Sequence, residues 1–322
     1  MKEEAIHFLV VFVTTTVLGT AGNVIVLFAF VSNAVKHKRF PPLDRVMVNK
    51  TLVNLLLCFY QGIPRVLMFY GVELFEETGC IILVYLSSSL RSISVWSVAN
   101  LSVLHLVKIR RPNCALASYI RGHQSRYVNL TIGALWATSF AFYIPCTLDK
   151  IARISQRSGN HSTRYMPSSS CSGLTASPAS DVVADISVSL DLVAMISVVL
   201  LNGLVIQLLC KHQRRVGAAG QGLNSGSKSP LQATRILVSL LCIYVTCWIS
   251  NDIVWVMQIA KIAPDQAQSQ ILTYTSSFIS SLYYSASSYV LVFGHKNVKD
   301  VFSPVCKRLK QRKSTHFQDV EI

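Results

Sequence analysis

Apolar positions along this chain neither alternate nor recur as a helical stripe; they run on without a break. Seven stretches, at about residues 6–31, 46–70, 81–107, 127–148, 186–209, 236–260 and 271–293, are almost continuously apolar and fenced by short polar segments. A bilayer's hydrocarbon core needs about 20 such residues per helix, and a water-soluble fold has no reason to repeat that length seven times. Lipid offers no partner for a stray backbone N–H or C=O, so each stretch must be an α-helix. The pattern predicts an all-α membrane protein, a seven-transmembrane helix bundle filling residues 1–322 as a single domain. The longest polar interval, roughly 149–185, is too short to build a core of its own. The first apolar run follows five polar or small residues as a signal peptide's would. It is too long for an h-region and carries Gly22-Asn23 inside it, so it is expected to remain as the first span.

Charge changes the picture by its placement. Half of the residues (51%) are hydrophobic and only 14% charged, yet the net charge is +15. Lys and Arg gather in alternate loops: Lys36, Lys38, Arg39 and Arg45; then Lys108, Arg110, Arg111, Arg121 and Arg126; then Lys211, Arg214, Arg215 and Lys228. They gather again after residue 294. Short loops rich in Lys and Arg stay in the cytosol. The N-terminus is therefore expected outside and the C-terminus inside. The long fourth-to-fifth loop is basic but outer, and long loops translocate with little regard to charge. Charge spread this way forms no nucleic-acid-reading face.

The nine cysteines sort by depth. Cys58, Cys146, Cys242 and Cys247 read as packing residues within spans, and Cys114, Cys210 and Cys306 face a reducing cytosol. Only Cys80 and Cys171 see an oxidising compartment, so they are the natural disulfide, the alternative being two free thiols. Of four sequons, at Asn49, Asn100, Asn129 and Asn160, three lie in or against spans. Asn160 alone is a credible glycan acceptor. Residues 217–230, rich in Gly and Ser, read as a cytoplasmic linker. Residues 294–322 read as a cytoplasmic tail with a short amphipathic helix over 296–313, interrupted at Pro304, with Cys306 a candidate palmitoylation site.

Ordered motifs narrow the class. Gly62-Ile63-Pro64 closes the second span and Gly79-Cys80 opens the third; Tyr85-Leu86, Arg91-Ser92-Ile93-Ser94 and Leu101-Ser102-Val103 follow along it. Lys211-His212-Gln213-Arg214-Arg215-Val216 follows the fifth span. Ser229-Pro230, Ala233-Thr234 and Ile236-Leu237-Val238-Ser239 start the sixth. This set resembles the vomeronasal type-1 receptors and their fish relatives, the olfactory receptors related to class A, over essentially the whole chain. The resemblance implies a G-protein-coupled receptor for pheromones or odorants, in the plasma membrane of a sensory neuron, with no enzymatic activity and no cofactor or metal. Like that family, the chain lacks the Asp-Arg-Tyr of rhodopsin-like receptors, having Leu104-His105-Leu106 instead. Asn54 replaces their second-span acid, and Ser287-Ser288 stands for the family's Ser-Pro. Residues 288–296 also resemble bitter-taste receptors, the alternative within this class. A small-solute transporter is the alternative outside it, but no internal repeat supports one.

Ionisable residues inside spans are costly and so usually functional. Arg91 lies eleven residues past Cys80, about three turns and roughly 16 Å along the third helix on nearly the same azimuth. Cys80 must face the outer loop, so Arg91 points into the bundle. Its paired N–H donors suit a ligand carboxylate or sulfate. Asp191 and Asp252, in the outer halves of the fifth and sixth spans, offer an internal ion pair instead. Tyr283 and Tyr284 either present phenols to a ligand or pack. Asn23 and Asn54 read as interhelical glue, Arg65 as a snorkelling residue and Trp255 as an interface anchor. A ligand is expected between helices three, five, six and seven. At the other end, His105, Arg110, Arg111, Arg214 and Arg215 are expected to face a heterotrimeric G protein.

Overall fold

A computed structural model describes residues 2–64, 67, 77–109, 115–158, 178–219, 228–259 and 266–294. Among them the chain is helical throughout, with no strand. Its elements are α1 (Lys2–His37), α2 (Pro42–Leu57) with a π turn (Cys58–Gly62), α3 (Glu77–Ile109), α4 (Ala115–Gly122), α5 (Gln124–Ser158), α6 (Pro178–Ala219), α7 (Lys228–Ile259) and α8 (Gln266–Gly294).

The helices outrun the predicted spans at almost every end, because lipid sets a minimum length and not a stopping point. The long fourth-to-fifth loop is accordingly shorter than expected, with α5 helical to Ser158 and α6 starting at Pro178. The short helix α4 was not anticipated. It buries Ile120 against the ends of α1, α2, α3 and α5, within a cluster that includes Phe30, Val46, Leu104 and Val128. The π turn ends two residues before Pro64, which has no N–H to continue the ladder; an i→i+5 turn absorbs such a fault.

Four of the helices are long and apolar enough to cross a membrane over Leu9–His37, Gly79–Ile109, Gln124–Ala152 and Asp185–Lys211. Helices α2, α7 and α8 complete the seven. Their interior faces carry Lys50 and Asn54, Asn251 and Asp252, and Ser281, Ser285, Ser287 and Ser288, all buried. The outward faces are apolar: Val17, Phe28, Leu130 and Leu200 are each about 60% exposed. Only a lipid surround tolerates so much apolar surface.

The helices close into a ring. α1 packs on α2 and α8, α8 on α7, and α7 on α6, while α3 runs through the middle against α2, α5 and α6. Buried amides strap it together, since in lipid an unpaired polar group has no water to turn to. Asn23 Nδ2 donates to Tyr284 O at 3.2 Å, tying α1 to α8. Asn54 donates to Ser287 Oγ at 3.1 Å and accepts from Ser94 Oγ at 3.0 Å, joining α2, α8 and α3. Asn49 donates to Ser97 Oγ at 3.1 Å and accepts from Trp136 Nε1 at 2.8 Å. Asn100 reaches Thr131 and Asn202 reaches Ser102. Asn129 accepts from Arg45 Nη1 at 3.0 Å. Three sequon asparagines thus serve as helix straps.

Along the α1–α8 seam, a Cβ on Gly19 would run into Ser285 Oγ and one on Gly22 into Ser288 Oγ. The bare glycines let Ser285 Oγ donate to Thr15 O at 2.6 Å. We expect Gly22→Ile to lower the melting temperature of the purified protein by several degrees, since overpacking costs about 1–3 kcal/mol. Gly133→Ala, whose Cβ meets nothing within 4 Å, should not lower it. Superimposable melting curves for Gly22→Ile and wild type would mean that the seam is loose.

Candidate functional site

Arg91 projects from the middle of α3 at the level where α6 and α7 each turn one carboxylate inward. Its Nη2 donates to Asp191 Oδ2 at 3.0 Å and to Asp252 Oδ1 at 2.6 Å. The three side chains are 16%, 7% and 9% exposed respectively, so the pairing is made largely out of contact with solvent. The chain therefore supplies its own counter-ions to Arg91. This is the internal ion pair that the sequence left open beside a ligand's acid.

Asn251, one residue before Asp252, adds a third contact. Its amide is satisfied at both ends when the oxygen faces the guanidinium, because the reverse sets N–H against N–H. In that orientation the oxygen accepts from Arg91 Nη1 at 2.9 Å and Nη2 at 3.0 Å. The amide nitrogen then donates to Ser276 Oγ at 2.6 Å and Ser280 Oγ at 3.2 Å on α8. One arginine thereby gathers α3, α6, α7 and α8. Its Nε has no partner among the described residues.

The flat face of the guanidinium lies 4.8 Å from the centre of the Trp248 ring, a cation–π contact. Trp248 belongs to an aromatic layer with Tyr244 and Tyr283, at ring separations of 6.2 and 5.4 Å. Tyr283 in turn meets Tyr284 at 5.5 Å. Both predicted tyrosines are buried, at 2% and 1% exposure. On the far side of the layer, Lys50 Nζ sits 5.3 Å from the Tyr283 ring centre and forms no ion pair among the described residues. Nearer Cys80, the hydroxyls of Tyr143 and Ser187 share a hydrogen bond at 2.7 Å between α5 and α6. Tyr85 donates to Phe140 O at 3.1 Å near Pro145, which breaks the α5 ladder.

Sequence reasoning singled out Arg91, Asp191, Asp252, Tyr283 and Tyr284, and the structure assembles them in one interior region. It missed Asn251, Trp248 and Lys50. Lys50 carried the plainest signal, an ionisable residue inside an apolar span. Cys80 is disulfide-bonded, while Cys58, Cys146, Cys210, Cys242 and Cys247 are free. Cys171, Asn160, Cys306, Arg65, Arg110, Arg111 and the tail from 295 onward lie outside the described residues. His105 is half-buried near the end of α3, in the half of the bundle that holds α4, and Arg214 and Arg215 fall in the last turns of α6.

Comparison with known proteins agrees with this architecture. The family model for the vomeronasal organ pheromone receptor family matches residues 6–303. The zebrafish (Danio rerio) olfactory receptor class A-like protein 1 is 25% identical, over 88% of this chain and 87% of the relative. The mouse (Mus musculus) vomeronasal type-1 receptor 44 is 22% identical and the rat (Rattus norvegicus) vomeronasal type-1 receptor 92 is 20% identical, both over 91% of this chain and 92% of the relative.

Removing Arg91 leaves two buried carboxylates facing each other. Breaking one side of a buried ion pair costs about 3–5 kcal/mol, so Arg91→Met should sharply lower thermal stability and surface delivery. Adding Asp191→Asn and Asp252→Asn to it should restore much of both. An Arg91→Met protein as stable as wild type in nanodiscs would show that the cluster is solvated and contributes little.

Proposed function

The chain belongs to the vomeronasal organ pheromone receptor family, and we propose that it takes a small molecule at the Arg91 cluster and answers by activating a heterotrimeric G protein. Members of this family are chemosensory receptors and not enzymes; the chain is accordingly a multi-pass membrane receptor. The observation that carries the finer reading is the cluster itself. Two carboxylates and a guanidinium, drawn from three helices and backed by a fourth through Asn251, are held by hydrogen bonds that a polar ligand is able to exchange.

A ligand acts by binding one of two helix arrangements better than the other, since only differential affinity moves such an equilibrium. Asp191 on α6 and Asp252 on α7 both report to α3 through Arg91. A ligand that takes over one of these contacts changes how α6 and α7 sit against α3, and the far ends of α6 and α7 follow as levers.

In this reading the Cys80 end is extracellular, the N-terminus is outside, and a Cys80–Cys171 disulfide fastens the outer loop, with Asn160 as its glycan acceptor. The α4 end then faces the cytosol of a sensory neuron. His105, Arg110, Arg111, Arg214 and Arg215 rim the G-protein cleft there, and Cys306 is the residue for a palmitoyl anchor. An acidic ligand, the partner suggested by Arg91 alone, has to displace a carboxylate already in place. The charge of the cluster argues against it.

The direct test is guanine-nucleotide exchange on a co-expressed G protein, with solute flux followed in the same cells. Ligand-driven exchange without flux is the expected result; flux without exchange would make this chain a transporter. His105→Ala should change basal or stimulated exchange at least twofold, and no change in either would reduce His105 to a packing residue. Cys80→Ser and Cys171→Ser should each strand the receptor inside the cell. Peptide mapping that recovers both cysteines as free thiols would defeat the disulfide.

A further inference from the structure

Resting on the Arg91 cluster as the ligand site, we propose that the ligand it selects carries a protonated amine. The first observation is a surplus of negative charge. Asp191 and Asp252 share one guanidinium, and both reach the same nitrogen. Lys50, another buried cation, pairs with neither and lies across the Tyr283 ring. In a low-dielectric interior an unmatched carboxylate is expensive, and a second cation at the cluster relieves that cost.

The second observation is the crowding of acceptors on one nitrogen. Arg91 Nη2 has two N–H groups, yet Asp191 Oδ2, Asp252 Oδ1 and the Asn251 oxygen all stand within 3.0 Å of it. Asp191 Oδ1 and Asp252 Oδ2 receive no hydrogen bond from any described residue. An ammonium brings up to three donors and no acceptors. That is the complement of the acceptors crowded on Nη2; Arg91 Nε and Trp248 Nε1 are donors without partners among the described residues, but neither reaches the two carboxylates.

The third observation is independent of the carboxylates. The adjoining wall is aromatic, made by Trp248, Tyr244 and Tyr283 in mutual contact. Ring faces attract cations and repel anions. Tyr244 is buried, yet its hydroxyl has no hydrogen-bond partner among the described residues. Its oxygen is a further acceptor for an N–H that the protein does not provide. Carboxylates, an orphaned phenol and ring faces converge on one chemistry. A protonated amine that docks on Asp252 or Asp191 loosens that residue's hold on Arg91, which is the exchange of contacts that receptor activation requires.

The test uses three probes of one skeleton: 2-phenylethylamine, 2-phenylethanol and phenylacetate. Thermal shifts are measured on the full-length receptor in nanodiscs near neutral pH. The amine is expected to raise the melting temperature in a saturable way, with the alcohol and the acid weaker by at least tenfold in half-saturating concentration. Asp252→Asn keeps an acceptor for Arg91 but removes a charge, and should weaken the amine at least tenfold. Asp252→Glu keeps the charge and should hold the amine within a few-fold of wild type, which separates charge from misfolding. The proposal is overturned if phenylacetate stabilises as well as the amine. It is also overturned if none of the three shifts the melting curve at millimolar concentration, or if Asp252→Asn leaves the amine's effect intact. Exchange assays in parallel keep the two readings apart. Nucleotide exchange driven by the acid or the alcohol alone sinks the amine while the receptor stands. Amine binding without exchange supports the amine site and counts against signalling.

Discussion

Lipid gives a polar group nowhere to go, and most of this architecture follows from that single refusal. Backbone groups are forced into helices, and many side chains that can hydrogen-bond find partners on other helices. Asn23, Asn49, Asn54, Asn100 and Asn202 all do so, each across a different helix pair or triple. Buried serines, asparagines and charges line the inward faces of α2, α3, α6, α7 and α8, while the outward faces of α1, α5 and α6 are apolar. Polarity inside and oil outside invert the order of a water-soluble protein. The bundle is held by packed apolar clusters together with the pairing of a limited set of polar atoms.

The Arg91 cluster is the extreme case of this pairing. A strap made by one asparagine joins two or three helices at the strength of a neutral hydrogen bond. Arg91 joins four, and at least two of its contacts are charge-assisted. It stands on one side of the Tyr244–Trp248–Tyr283 layer, with Lys50 on the other. Below that layer the buried clusters change character. One core is built around the aromatic layer and the middle of α3; the second gathers Phe30, Leu104, Ile120 and Leu291 around α4. The aromatic layer separates the Arg91 level from Lys50.

How much of this could be read from residues alone tracks how strictly the medium constrains each feature. Span number and helical state were legible because the bilayer leaves no alternative. The meeting of Arg91 with Asp191 and Asp252 was legible as one of two options, because a buried arginine must find an anion. The choice between protein and ligand depended on side-chain reach that no spacing rule supplies. Features outside the lipid's control were missed: the α4 helix, the extension of α5 to Ser158, and the start of α6 at Pro178. Asn251 was passed over because an amide beside an acid carries no signal of its own. Lys50 hid inside a sequon and a long apolar run, although a lone cation there should have been questioned.

Lys50 has an electrical consequence as well. Cells hold a potential across the bilayer, and a charge inside the bundle sits within that field. Moving one elementary charge across the whole membrane at 100 mV is worth about 2.3 kcal/mol. Lys50, Arg91, Asp191 and Asp252 are at different positions in the bundle interior, and Lys50 has no counter-ion among the described residues to travel with it. Paired charges that shift together do little net work, whereas a solitary ammonium does its full share. Any rearrangement that carries a protonated Lys50 along the membrane normal therefore couples the receptor's conformation to the voltage of the cell that bears it.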